Sequence, residues 1–250
     1  MLGISFITLV KKELIREWSS KHFSLLPELG MIVVFGIIIK TAPIPSDLII
    51  QNFDFMTFIG LGLVTTSVIT NSFASTAFGL VHAKMENYIV DFIMPPLGKE
   101  VVYLALIMTA TISALLSSIC IGGVLFLFGM KLPGILPMLE VIAICSILAF
   151  SFALLGIVAA CYSQDWDSIS AKFSLMLLPL IYCSGVFYEL QSIDPNFQWI
   201  LLYNPVYYLF CLIREIASGQ TISGIGLFSL AGLVGISLLV SFVFLRKRIF

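Results

Sequence analysis

Residues Ile135–Cys161 read ILPMLEVIAICSILAFSFALLGIVAAC, a run with a single charge, Glu140, and no alternation of apolar and polar types. A helix needs about 20 apolar residues to cross a hydrocarbon core of about 30 Å. This stretch exceeds that length. Strands of a membrane barrel alternate in segments of about ten residues, so a continuous run selects a helix.

The rest of the chain has the same character. Of 250 residues, 60% are hydrophobic and 11% charged, with a mean hydropathy of +1.09. A soluble domain is about 45–50% apolar and roughly 25% charged. A soluble fold of this composition would expose large apolar patches and aggregate. A net charge of −1 offers nucleic acid no electrostatic footprint. The chain reads as one all-α membrane domain embedded in the lipid bilayer, with no nucleic-acid partner. Cys120, Cys145, Cys161, Cys183 and Cys211 lie in or beside apolar runs and form no C-x-x-C pair. They read as small buried hydrophobes.

Six apolar segments meet or approach the length of a span: about 23–39, 55–80, 101–128, 135–161, 173–188 and 222–245. Ahead of them, Ile7, Val10, Leu14 and Trp18 recur at helical spacing on one face, opposite Thr8, Lys12 and Arg16. That pattern predicts an amphipathic helix over 1–21 lying in the membrane interface. The basic residues divide ten to three: Lys40, Lys131 and Arg214 fall on one side of the spans and the other ten on the opposite side. The positive-inside rule places both termini in the cytoplasm. Trp18, Trp166 and Trp199 all fall at expected interfaces.

The stretch 191–213 is apolar but interrupted by Asn204-Pro205. Each half has roughly eight residues, or about 12 Å of helix, and neither spans. We expect two short helices dipping into the outer leaflet before the last span, with Pro205 breaking between them.

Chemistry-bearing motifs are few. No G-x-x-x-x-G-K-[ST] is present, so this chain does not cradle ATP phosphates in a P-loop of its own. It shows no H-E-x-x-H and no G-x-S-x-G, which argues against an intramembrane hydrolase. His22 and His82 lie far apart at expected cytoplasmic ends, and no metal site is expected. Glu28 and Glu140 sit a turn or two inside their spans, where a charge is costly and points to function. Ser67, Asn71, Ser75 and Gly79 recur at every fourth position of the second span. Such a stripe suits close helix packing or the lining of a path. In the loop 84–96, Met85, Tyr88 and Phe92 share one helical face, with Lys84, Glu86 and Ile89 among them and Pro95-Pro96 as the stop. An amphipathic cytoplasmic helix needs a groove or a membrane to cover its apolar face. An ion-coupled secondary transporter running on Glu28 or Glu140 is the alternative reading.

With these residues in hand, the chain resembles the permease subunit of type-2 ABC transporters. The basic amphipathic N-terminus and the loop ending in Pro95-Pro96-Leu97 carry part of the likeness. More specific are the run from Pro179 to Tyr188, PLIYCSGVFY, and Tyr203-Asn204-Pro205 followed by Tyr207, Arg214 and Gly219. The chain departs from the family pattern at Lys84, Leu97 and Glu189. The resemblance implies an exporter of polysaccharide, lipid or drug in a bacterial inner membrane. It implies a homodimer of permeases with separate cytoplasmic ATPase subunits that bind the ATP, and no cofactor on this chain. It further implies that 84–96 is the coupling helix docked on the ATPase, with Lys84, Met85, Glu86, Tyr88, Ile89, Phe92, Pro95 and Pro96 in contact. Ser184, Gly185, Asn204 and Pro205 would then build the outer exit. From the residues themselves, Ser67, Asn71, Ser75, Glu28 and Glu140 are the further path candidates.

Overall fold

No glycine or proline falls between Gly3 and Pro27, so nothing in that stretch interrupts a helix once it has started. The structure, a computed structural model describing residues 2–41, 49–50, 53–86, 99–220 and 222–247, begins accordingly with α1, Leu2–Thr41. Its 40 residues correspond to about 60 Å of rod. The expected interfacial helix over 1–21 and the expected first span are therefore one continuous helix, not two elements.

A two-residue antiparallel pairing, β1 (Ile49–Ile50) with β2 (Phe53–Asp54), precedes the next helix. Three long helices follow: α2 (Phe55–Met85), α3 (Lys99–Leu127) and α4 (Ile135–Cys161). Next come α5 (Trp166–Lys172), a π-helical turn (Phe173–Leu177) and α6 (Leu178–Tyr182) in unbroken succession. A 3-10 turn (Leu190–Ser192) leads to α7 (Trp199–Leu202), α8 (Pro205–Ala217) and α9 (Gly224–Lys247). Among the described residues four helices are long and apolar enough to cross a membrane: α2, α3, α4 and α9. The first and fifth of the six expected segments lie in α1 and in the run from α5 to α6.

That fifth segment departs from its expected limits. It starts earlier, at Trp166, because Asp165 caps the helix by accepting the Ser168 N–H at 2.8 Å. It stops at Tyr182, because the chain turns at Gly185 with φ +75°. The widened π turn has a cause two residues further on. In a regular helix the Pro179 ring collides with the carbonyl four residues back, and a wide turn relieves that contact. The interrupted stretch is also cut unevenly. α7 has four residues and α8 has 13, running past Ile213 to Ala217. Pro205 opens α8 at its first position, where its missing N–H and fixed φ suit a helix start.

α2 and α4 lie side by side at the centre. α1 packs along α3, which flanks α2; α9 packs on α4 and α8, and α8 also reaches α2. The largest cluster of buried side chains joins Ile69 and Phe73 of α2 to Phe152 and Ile157 of α4, with Ile169, Ile181 and Phe210 closing over them. Lipid tails are as apolar as leucine, so close packing and interhelical hydrogen bonds must hold such helices together. Both occur where α2 crosses α4. The Thr76 hydroxyl donates to the Ala153 carbonyl at 3.0 Å. Opposite, a side-chain carbon added at Gly156 would lie 2.6 Å from the Phe73 carbonyl oxygen and against Thr76 Oγ1. Only a bare Cα fits there.

Gly156→Val is therefore expected to push α2 and α4 apart and to cost about 1–3 kcal/mol through overpacking. Gly134→Val, where an added carbon meets nothing closer than 3.6 Å, is the control. Unfolding of both variants in detergent checks this, with the Gly156 variant alone losing stability.

Candidate functional site

At the end of the bundle where α2 begins, Cys183 to Tyr188 form a turn between α6 and the 3-10 turn. Gly185 takes the left-handed region at φ +75°, which other residues avoid. Ser184 is fully buried, and its hydroxyl donates to the Ile181 carbonyl. The Tyr188 hydroxyl closes the turn by donating to the Tyr182 carbonyl at 2.9 Å. Asn204 joins this turn to α8. Its Oδ1 accepts the Val206 N–H at 3.0 Å, an N-cap, and its Nδ2 donates to the Leu180 carbonyl at 2.6 Å. Asn204 and Pro205 at the start of α8 are thus tied to the end of α6, next to the turn that holds Ser184 and Gly185.

The centre of this assembly is Arg214, which the sequence counts among the outer basic residues and the family likeness includes without giving it a role. It is 3% exposed. Nη1 and Nη2 both donate to the Gly185 carbonyl at 3.1 Å, and Nη2 donates to the Val186 carbonyl at 3.0 Å. The guanidinium carbon lies 3.6 Å from the centroid of the Phe58 ring, a cation–π contact in a dry setting. Gly62 lets α2 come close, since a carbon added there would sit 2.8 Å from the Val186 oxygen. One side chain therefore fastens α8, the 183–188 turn and the start of α2. The signal that could have found it is the helical spacing from Pro205 to Arg214, which puts the charge on the same buried face as Leu209, Phe210 and Ile213.

At the opposite end of α2, Lys84 was expected to meet a partner. It turns inward instead. Its Nζ donates to the Ala160 carbonyl at 2.7 Å, at the C-terminal end of α4 where the helix dipole attracts a cation. Lys172 does the same two residues further on, donating to Tyr162 O at 2.7 Å and to Ser163 Oγ at 2.6 Å. Trp166 stacks on Phe78 with centroids 5.8 Å apart, and lies 5.7 Å from the His82 ring. Met85 and Glu86 are exposed, with Glu86 3.4 Å from His82 Nδ1. Tyr88, Ile89, Phe92, Pro95 and Pro96 lie outside the described residues.

The remaining path candidates separate into two groups. Asn71 Nδ2 donates to Glu28 Oε2 at 3.1 Å, to Glu28 Oε1 at 3.3 Å and to Ser67 Oγ at 3.0 Å. Ser75 is half-buried one turn along, and Arg16 Nη2 approaches Gly79 a turn beyond that. The polar stripe of α2 therefore faces α1 of the same chain. Arg16 is itself paired with Glu13 at 2.6 Å. Burial pushes the Glu13 carboxyl above its ordinary range despite Arg16. Glu140 is exposed near the start of α4 and takes no part in this group. Among the described residues no three His, Cys, Asp or Glu side chains come together as a metal site.

Long apolar helices bound by inward-turned cations define a multi-pass membrane protein. Residues 4–218 match the ABC-2 type transporter family, and the chain belongs to it. It is 28% identical over 160 residues to the inner membrane transport permease YadH of Escherichia coli K12, an alignment covering 64% of this chain and 61% of that protein. The same permease of Shigella flexneri aligns to the same extent. Nodulation protein J of Rhizobium leguminosarum bv. viciae is 27% identical over 116 residues, covering 46% of this chain and 45% of that protein. The chain thus spans about three fifths of the length of the first of these relatives.

Charged hydrogen bonds contribute about 1.5–3 kcal/mol each. Arg214→Met is expected to remove at least that much stability and to free the 183–188 turn for hydrogen exchange. Arg214→Lys, which lacks the planar fork, is expected to restore only part of it. Glu140→Gln, on an exposed position, is expected to stay within about 0.5 kcal/mol of the parent. Thermal unfolding in detergent ranks the three.

Proposed function

We propose that this chain is the permease subunit of an ATP-driven exporter, acting with a separate cytoplasmic ATPase and a second copy of itself. The match to the ABC-2 type transporter family over residues 4–218 carries this reading. The relative from Escherichia coli bears the name of an inner membrane transport permease. The chain holds no phosphate-binding loop, so the ATP is bound and hydrolysed by the partner. The location is a bacterial inner membrane with both termini in the cytoplasm, and the cargo is amphipathic: a polysaccharide, lipid or drug.

In this reading residues 85–96 form the coupling helix. ATP binding closes the ATPase dimer, and the helix moves as a unit with the end of α2. Lys84 ties that end to the C-terminus of α4, and Trp166 packs on Phe78 beside it. A push at the loop is thus delivered to α2, α4 and α5 together. Packed helix bundles respond to such a push by switching between discrete arrangements instead of deforming continuously. The far end of the same helices holds the Arg214 assembly, where 183–188 and the Asn204-Pro205 break border the exit. The re-entrant placement of 191–213 in the outer leaflet belongs to this proposal. α8 supports it, since 13 residues give about 20 Å of helix, too short for a span.

Phe92→Asp is expected to abolish ATP-driven export while the protein still inserts and still purifies as a dimer. Vesicles carrying the permease and its ATPase check this by uptake of labelled cargo. Unimpaired export by the variant would overturn the coupling-helix assignment. Transport by the permease alone on a proton gradient would favour the ion-coupled reading instead.

A further inference from the structure

The sequence places Glu28 a turn or two inside its segment, but the structure takes its carboxylate deeper. Both of its oxygens lie within hydrogen-bond distance of Asn71 Nδ2, and Asn71 is at the middle of the 31 residues of α2. α2 is long and apolar enough to span, so its middle is hydrocarbon depth. An ionisable group there is expensive, and it marks substrate or ion pathways unless paired. The partners of Glu28 are neutral. Asn71 donates to both oxygens, and Ser67 shares the same amide. No described cation forms an ion pair with it. Arg16, the cation on the same seam, is held by Glu13 at the Gly79 level.

The arrangement is open to a ligand. Glu28 and Asn71 are each half-buried. α1 packs along α3 and reaches α2 here through side chains. The group is also rich in acceptors: two carboxylate oxygens, with the Asn71 carbonyl oxygen beside them. A primary ammonium brings three donors and one positive charge, which the described side chains around Glu28 do not supply. A purely structural link between helices would need no charge, since a glutamine would accept from Asn71 equally well.

We propose that Glu28, Asn71 and Ser67 form a binding site for the ammonium group of a cationic amphiphile, with the apolar remainder lying along α1 and α2. This rests on the permease reading and names its substrate class. The test uses the purified permease in nanodiscs of neutral lipid, without ATPase, so it is separate from the export assay. The probes are octylammonium, octanol and octyl sulfate, read by intrinsic tryptophan fluorescence. Octylammonium is expected to bind at least tenfold more tightly than the other two. Glu28→Gln is expected to lose that preference while keeping its unfolding temperature, and Glu140→Gln to retain it. Equal affinity of the parent for all three probes overturns the proposal, even where ATP-driven export stands. So does an undiminished preference in Glu28→Gln. The comparison among probes on the parent protein keeps the test decisive if the Gln variant does not fold.

Discussion

Within a bilayer nothing pushes two apolar helices together, because lipid is as good a neighbour as leucine. The contact of α2 with α4 is therefore the constraint on which the rest of this fold depends. It is made by subtraction: Gly156 removes a side chain so that the Phe73 backbone can approach. Thr76 then adds a hydrogen bond to Ala153 across the gap. With the two central helices fixed, the surrounding elements find continuous surface. α3 lies on α2, α9 on α4, and α5, α6 and α8 close over Phe73 and Phe152.

Three cations of the bundle share one solution. Arg214, Lys84 and Lys172 each donate to backbone carbonyls where a helix ends or a chain turns. Such oxygens lie in a turn or at the negative end of a helix dipole, and the Ala160 oxygen accepts the Ser163 N–H as well. A charge that satisfies them needs no carboxylate and survives where water is scarce. It also sets the order of the chain in space. Arg214 brings α8 back to the turn after α6, and Lys84 with Lys172 bring the α4–α5 connection back to α2. The two ends of the bundle are closed by the same chemistry from different residues.

Much of this was legible beforehand. Long apolar runs gave α2, α3, α4 and α9 nearly to their ends, since a span has one period and one demand. Asn204-Pro205 announced the start of α8, because a side-chain oxygen followed by proline is both a cap and a helix opening. Other features were not legible, for a common reason: they depend on what lies opposite. Arg214 counts as an outer charge until Gly185 and Phe58 are seen around it. Lys84 belongs to a docking loop by position and to α4 by contact. The stripe from Ser67 to Gly79 showed only that something polar or close faces it, and the facing element is α1. The end of the fifth segment at Tyr182 was hidden because PLIYCSGVFY remains apolar through the turn.

α1 has one further property that follows from its sequence and its length. Pro27 lies within its 40 residues, and a proline has no N–H to offer the carbonyl four residues earlier. One rung of the ladder is missing at that point, so the rod is more compliant there than along the stretches on either side. The next residue is Glu28. Any bend between the two arms of α1, both of which pack against α3, is thus centred on the carboxylate facing Asn71. The helix carries its charge at its own fulcrum, where a swing of the long arm changes the charge's surroundings with little displacement.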